Sequence, residues 1–331
     1  MQIKNIKQIF ENFNNKKVLI VGDVMIDSYL LGNVNRISPE APVPVLAVSN
    51  RENRLGGAAN VALNIKSLGA SPIICTVVGN DNYGKIFAEL LKKRQISDEG
   101  IIYSNNRNTT IKTRVIANAQ HLLRIDDENT STLSPEETKS LIEKIKQIVK
   151  TKKIDVIIFE DYDKGVLSEN IIKDIVNFAN DNNIITTVDP KKENFTYYNN
   201  VTMFKPNLKE LIEGLKIDIN KNNLDEIFEA VEILRKKLNS EIVFSTLSEK
   251  GCYIKDNTQA YYHPAEIRQI ADVSGAGDTV ISVASLLLSE NVNINEVAYI
   301  SNLAGGLVCE KVGVVPVNKE QLLSEIIEKN N

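Results

Sequence analysis

The run Lys17-Val18-Leu19-Ile20-Val21-Gly22-Asp23 constrains this chain more than any other segment. It is strand-long, apolar at consecutive positions and closed by Gly-Asp. Both of its faces need cover, which suits a central parallel strand. The pattern recurs. Strand-like runs at Ser71 to Val78, Ile154 to Glu160, Ile184 to Asp189, Val201 to Lys205, Glu241 to Thr246 and Gly251 to Ile254 alternate with helical stretches at Gly84 to Arg94, Ser168 to Asn180, Leu208 to Gly214 and Leu224 to Lys237. Helices at Asp278 to Ser289, Ile294 to Val312 and Lys319 to Lys329 close the chain, and residues 1–16 read as a short amphipathic helix. This alternation predicts a doubly wound α/β sheet, mostly parallel and flanked by helices. Functional side chains should gather at the carboxyl ends of its strands. Asp23, Glu160, Asp161, Asp189 and Asn207 fall there.

Two segments break the alternation. Asp27 to Gly32 with Val43 to Ser49, and Asn108 to Asn118 with His121 to Asp126, are strand-like and joined by tight connections such as Asn118-Ala119-Gln120. They predict a small antiparallel sheet inserted as two pieces, about 27–49 and 108–126. A sheet this small needs a hydrophobic partner surface. It is expected to cover the site as a lid and to pair with a second copy, giving a homodimer. No repeat and no low-complexity linker argues for a second domain.

Composition narrows the function classes. The net charge is -4 and the pI about 5.5, with no basic stripe carrying interleaved aromatics, so nucleic acid is not an expected partner. No stretch of about 18 apolar residues is present to span a membrane, and the polar start Met1-Gln2-Ile3-Lys4 does not resemble a leader. The three cysteines lie far apart in apolar segments and read as buried small hydrophobes, consistent with a reducing cytoplasm. With only two histidines, a His-based zinc site is not expected.

The chemistry concentrates in Asp272-Val273-Ser274-Gly275-Ala276-Gly277-Asp278-Thr279, ahead of the apolar run Val280 to Leu288. A glycine turn opening into a helix presents free N–H groups and the positive dipole end to an anion. Asp278 inside an anion site makes sense as a base that takes a proton from an attacking hydroxyl, with the Gly275, Ala276 and Gly277 amides stabilising phosphoryl charge. The competing reading is a glycine turn with Asp278 as a cap. Arg54-Leu55-Gly56-Gly57-Ala58-Ala59-Asn60 leads small residues into a helix, which lets a sugar approach Gly56, Gly57 and Asn60 or simply packs helix on sheet. Asp23 and Asp27 follow the first strand and suit polyol hydroxyls or turn caps. Asn207 and Glu210, three apart, suit Mg²⁺ held through water, or a capping box of identical spacing. Asp161 and Lys164, and Asp189-Pro190-Lys191, place acid and lysine beside a phosphate site. Ser245, Ser248 and Gly251 end a strand in hydroxyls and a turn that suits a nucleotide. Arg36, Lys112, Arg114 and Arg124 put cations in the lid segments, which a phosphorylated substrate requires and a neutral sugar does not; the competing reading is surface salt bridging. A P-loop, the protein-kinase motif set and a Gly-x-Gly-x-x-Gly turn after the first strand are all absent from the sequence.

In this order, these residues resemble the ribokinase-like (PfkB) family of sugar kinases over residues 17–318, on the strength of the Gly56–Asn60 and Asp272–Asp278 signatures together. Gly22-Asp23-Val24-Met25-Ile26-Asp27, Arg36 to Val45, Arg54 to Asn64, Thr110 to Val115 and Leu123-Arg124-Ile125-Asp126 are most similar to the kinases of D-glycero-β-D-manno-heptose 7-phosphate. The resemblance implies one kinase domain over 1–331 that uses ATP and Mg²⁺ to phosphorylate the anomeric hydroxyl, for lipopolysaccharide precursor synthesis. It implies Asp278 as base, the Gly275–Gly277 turn as anion hole, and Asn207 and Glu210 toward Mg²⁺. Ser245, Ser248, Gly251 and Asn302 would border ATP. Asp272, Ser274 and the Lys311-Val312-Gly313 turn would frame a monovalent cation such as K⁺. In many bacteria this kinase is fused to an adenylyltransferase; no His-x-Gly-His motif occurs in this sequence, so a stand-alone kinase is expected. Glu160 and Asp163 depart from the family pattern and bear on the exact sugar. The alternatives are a kinase for ribose, fructose 6-phosphate or a nucleoside, or a non-catalytic sugar-binding regulator.

Overall fold

The computed structural model of the chain describes residues 5–118 and 120–330. The first four residues of the expected amino-terminal helix and Ala119 of the lid connection lie outside them. In chain order the elements are α1 (Ile6–Asn12), β1 (Lys17–Gly22), β2 (Val24–Ile37), β3 (Pro44–Gly57), α2 (Ala58–Ser67), β4 (Ser71–Gly79), α3 (Asn82–Lys93), β5 (Ile101–Ser104), β6 (Ile111–Ala117) and β7 (Gln120–Asp127). Then come α4 (Pro135–Thr151), β8 (Val156–Glu160), α5 (Glu169–Asp181), β9 (Ile185–Asp189), β10 (Met203–Phe204), α6 (Leu208–Leu215), α7 (Leu224–Leu238), β11 (Ile242–Thr246), β12 (Cys252–Lys255), β13 (Ala260–His263), α8 (Ala276–Ser289), α9 (Ile294–Cys309) and α10 (Lys319–Asn330).

The large sheet runs β13-β12-β11-β10-β9-β8-β1-β4-β5. Pairing is parallel from β5 through β11, and β12 and β13 are added antiparallel at one edge. β1 shows why its sequence is apolar throughout. Val18 and Ile20 enter the core beneath α1, α2, α3, α8, α9 and α10, while Leu19 and Val21 enter the core beneath α4, α5, α6 and α7. β8 divides in the same way, with Val156 and Ile158 on the α8 side and Ile157 and Phe159 on the other. No described helix is long and apolar enough to cross a membrane.

The small sheet runs β3-β2-β6-β7. Each hairpin is antiparallel, and the two hairpins join through a parallel pairing of β2 with β6. β2 and β3 are longer than the sequence suggests. β2 starts in the core at Val24 and β3 ends there at Gly57, and their far ends extend into solvent. Register sorts the side chains: Asp27, Tyr29, Glu52, Arg54, Lys112, Arg114, Arg124 and Asp126 share one face, and Leu30, Val115, Leu123 and Ile125 share the other.

In the large sheet Gly22 lies beside Glu160, and Glu160 beside Asp189. Three strand ends are thereby aligned at one edge. β3 must turn into α2 at the same place, and Gly57 makes that turn with φ 61 and ψ -137, its Cβ position 2.5 Å from the Asp23 carbonyl oxygen. A side chain there is both strained and obstructed. Gly57→Ala is expected to destabilise the fold by at least about 1–3 kcal/mol. Urea denaturation should show a lower midpoint at unchanged m-value.

Candidate active site

Asp278 is the third residue of α8. Its N-cap is Gly275, with φ 81, and no side chain caps the helix. The first-turn N–H groups of a helix have no acceptor within it, and in α8 they face the carboxyl edge of the sheet. A Cβ on Gly277 would stand 3.5 Å from Asp189 Oδ2 and 3.7 Å from Lys205 Nζ, so the turn lies directly against that edge. The Asp278 carboxylate points away from its own helix. Its Oδ2 accepts from Asn60 Nδ2 at 2.5 Å and its Oδ1 from the Tyr162 hydroxyl at 3.1 Å. It is 8% exposed, and burial is the main reason its pKa lies above the ordinary carboxylate range. The Asn60 bond opposes that shift, Asp189 adds to it, and the Tyr162 bond opposes it again.

α2 is fixed to α8 by a polar seam. Asn60 reaches Asp278, while Asn64 Oδ1 accepts from the Thr279 hydroxyl at 3.1 Å and from the Val317 amide at 2.9 Å. Asn60 keeps a buried Oδ1 without a partner among the described residues.

Glu160, Asp189 and Asp278 bring carboxylate oxygens within 4.8 Å of one another, all buried. Burial first, then repulsion from Asp189 and Asp278, drives the Glu160 carboxyl well above its usual range. Its Oε2 has no partner among the described residues. Lys205 offsets the cluster from β10, 2.9 Å from Asp189 Oδ2. Burial would strip its proton, but Asp189 and Glu210 outweigh burial and hold the ammonium above its ordinary range. Lys191 lies 2.7 Å from Glu210 Oε1 and 5.4 Å from the centre of the Tyr162 ring.

Several expected ligands serve the scaffold. Asp23 accepts the amides of Tyr162 (2.9 Å), Lys164 (3.1 Å) and Val166 (3.0 Å), which shapes the loop after β8. Burial, and then Asp161, still pushes its carboxyl up to about 6. Asp161 accepts from Tyr198 at 2.7 Å, Asn194 at 3.0 Å and the Asp163 amide at 2.9 Å. Asn207 and Glu210 form a reciprocal capping box at the start of α6, so both readings of their spacing are compatible with one pair. Asp272 accepts the amides of Ser274 at 2.9 Å and Gly313 at 3.1 Å, which ties together the two segments expected to frame a monovalent cation.

On the polar face of the lid, Arg114 Nη1 lies 2.5 Å from Asp27 Oδ1. Arg54 and Arg114 both lie over the Tyr29 ring, at 4.6 and 5.5 Å. Asp27 also fills the space where a Cβ on Gly56 would sit. Lys112 contacts Asp126 and Glu128 at 3.0 Å each, and Lys164 reaches the same Glu128 at 2.7 Å. Arg124 is exposed and bound to Asp126 at 2.8 Å. Arg36 does not join this group: it lies about 30 Å along β2 from Asp27 and is exposed. Near the end of β11, Ser245 is buried with a hydroxyl that has no partner among the described residues, and Ser248 and Gly251 take positive φ in the turn that follows. Asn302 donates to the Pro264 carbonyl at 3.2 Å. Cys309 is only half-buried, unlike Cys75 and Cys252.

Sequence reasoning missed Lys205 and Tyr162. A lysine closing an apolar strand is a usable signal, because such a charge survives burial only beside an acid. Tyr162 carries no comparable mark.

A family model described as "pfkB family carbohydrate kinase" matches residues 15–321. "Bifunctional protein HldE" of Aliarcobacter butzleri is 39% identical over 92% of this chain, and that of Helicobacter pylori J99 is 37% identical over 93%. The chain spans 63% and 65% of the length of these two relatives. Among solved structures, phosphofructokinase-2 from Escherichia coli in complex with potassium superposes with a TM-score of 0.78 at 18% identity, covering 95% of this chain and 99% of that one. Arabidopsis thaliana ribokinase complexed with ribose and ATP gives 0.70 at 16% identity, covering 93% and 98%. These structures share the fold.

The two bonds to Asp278 both favour its charged form. Asn60→Ala and Tyr162→Phe should therefore each raise its pKa, so that it holds its proton to higher pH. A ¹³C NMR titration of labelled aspartate checks this; a pKa equal to that of the unmodified protein would show that neither bond persists in solution.

Proposed function

Because the chain belongs to the pfkB family of carbohydrate kinases, and so is a phosphotransferase acting on a sugar hydroxyl, we propose that its acceptor is D-glycero-β-D-manno-heptose 7-phosphate. The anomeric 1-hydroxyl is phosphorylated by ATP to give the 1,7-bisphosphate, on the route to ADP-heptose and lipopolysaccharide. The observation that carries the choice of a phosphorylated acceptor is the polar face of the lid, where Arg54, Lys112, Arg114 and Arg124 stand with Asp27. The motifs shared with heptose 7-phosphate kinases, and the similarity to proteins named HldE, support the same reading.

The chain's own groups divide the work. Asp278 takes the proton of the attacking hydroxyl, and Asn60 and Tyr162 fix the direction of its carboxylate. The proton passes to Asp278, whose carboxyl is held above the ordinary carboxylate range by burial. The α8 amides, Lys205 and Lys191 face the charge that develops on the transferred phosphoryl group. The hard oxygen donors of this edge fit Mg²⁺: Glu160 offers a buried, unpartnered oxygen beside Asp189, and Asn207 and Glu210 would reach the ion through water. When bound, Mg²⁺ supplies neutralisation of phosphate charge. K⁺ would be framed by Asp272, Ser274 and the turn at Gly313. The lid's second face, bearing Leu30, Val115, Leu123 and Ile125, would pair two copies as a homodimer.

Purified protein supplied with ATP and either heptose 7-phosphate, ribose, fructose 6-phosphate or adenosine tests the substrate. A bisphosphate formed from the heptose alone, identified by mass, is expected; turnover restricted to another acceptor would discard the heptose. Leu123→Asp with Ile125→Asp should convert a dimer to a monomer by light scattering. A single-chain mass before substitution would refute the pairing.

A further inference from the structure

The loop after β8, residues 161–166, delivers Tyr162 to Asp278, and its backbone does not keep that course unaided. Asp163 and Gly165 both take positive φ, at 53 and 84. A left-handed aspartate is an uncommon conformation that its surroundings must impose. Asp23 supplies one side of the hold: its Oδ2 accepts the amides of Tyr162 and Lys164, and its Oδ1 that of Val166. The other side comes from Arg107, in the segment between β5 and β6. Arg107 Nη2 donates to the Lys164 carbonyl, and to the Asn129 carbonyl at 3.1 Å. Residue 164 is thus held at its amide by Asp23 and at its carbonyl by Arg107.

Arg107 stands on a rigid support. Two residues on, Thr109 gives its amide and its hydroxyl to Asp81 at 2.8 and 2.9 Å, and the same hydroxyl accepts the Gly79 amide at 3.0 Å. Burial lowers the Arg107 pKa, and the charges of Asp23 and Glu137 oppose that shift. A guanidinium leaves water only where its donors find acceptors. Here Nη2 serves two carbonyls, while Nη1 is buried without a partner among the described residues. The same junction reaches the lid. Lys164 Nζ holds Glu128 at 2.7 Å just past β7, and Gly165 lies so close to the Ser131 carbonyl oxygen that a Cβ would collide with it. Arg107 therefore joins the root of the lid hairpin to the loop after β8, two residues from Tyr162.

We propose that Arg107 is a positioning residue for phosphoryl transfer: by clamping the Lys164 and Asn129 carbonyls it holds Tyr162 against Asp278 and ties that contact to the root of the lid. This rests on the reading of Asp278 as the base and of Tyr162 as a group that directs its carboxylate. No hydrogen bond joins Arg107 to Asp278 among the described residues, so its effect passes through residues 162–164. A plain cross-link would stabilise the fold equally well but would not act through Tyr162, and that difference is measurable.

The readouts are steady-state kinetics and the ¹⁹F resonance of Tyr162 in the full chain labelled with fluorotyrosine, assigned by its loss in Tyr162→Phe. Arg107→Ala should lower kcat roughly 10–100-fold, as expected when a base is misdirected. It should leave the KM for ATP unchanged and shift the Tyr162 resonance. Arg107→Lys keeps a cation with donors for both carbonyls and should recover most of both effects. In a Tyr162→Phe background, Arg107→Ala should lower kcat by less than about a further factor of two, because both changes remove one interaction. Glu128→Gln cuts the link to the lid without emptying buried space; it should move the same resonance, and it carries the test if Arg107→Ala does not fold. An unmoved Tyr162 resonance in these variants, or kcat losses that multiply in the double variant, would overturn the proposal and leave Arg107 a structural cross-link. A shifted resonance with kcat unchanged in both Arg107→Ala and Tyr162→Phe would leave the clamp standing and remove the directing role of Tyr162.

Discussion

Buried carboxylates at one edge of a parallel sheet are the constraint on which this structure turns. Asp23, Glu160, Asp161, Asp189 and Asp278 are each no more than 8% exposed. An isolated buried carboxylate is too costly to keep ionised, so each must be paired, hydrogen-bonded or protonated. The structure uses all three solutions. Asp23 and Asp161 are satisfied by amides, an amide side chain and a tyrosine hydroxyl. Asp189 is paired with Lys205. Glu160 is driven toward its protonated form.

Asp278 is the exception among these carboxylates, and the proposed base. Among the described residues it receives two neutral hydrogen bonds and no direct cation. Those bonds fix its direction without removing its affinity for a proton, as a general base requires. The surrounding scaffold maintains this state. Asp23 shapes the loop that delivers Tyr162, and the α2–α8 seam delivers Asn60. Removing one partner of the buried Lys205–Asp189 pair would cost roughly 3–5 kcal/mol and leave an unpaired charge at this edge.

Much of this is legible in the sequence, for identifiable reasons. β1 and β8 are apolar at consecutive positions, Val18 to Val21 and Val156 to Phe159, because both faces are covered, and that pattern has few alternatives. Asp278 and its glycine turn stand out because a carboxylate among free amides needs an explanation. What fails to show are properties that depend on distant partners. The pairing of Lys112 with Glu128, and of Arg114 with Asp27, depends on strand register, which spacing alone does not give. β2 and β3 run longer than expected because polar residues in an exposed two-stranded ribbon do not mark an end. α4 is missing from the helices expected from the sequence, although Ser134-Pro135 with Glu137 forms a capping box at its start. The capping box at Asn207 is ambiguous for a physical reason: the spacing that caps a helix also aligns two oxygen ligands.

The most direct test is a comparison of Asp278→Asn with the unmodified protein under saturating ATP and acceptor, with nucleotide binding measured separately. Asparagine keeps the shape and the hydrogen-bonding reach but cannot take the proton. A fall in kcat of roughly 10²–10⁴ with nucleotide affinity retained is expected for a general base. Turnover near that of the unmodified protein would contradict the assignment of Asp278 as the base, and with it the chemical role of the buried edge of the sheet.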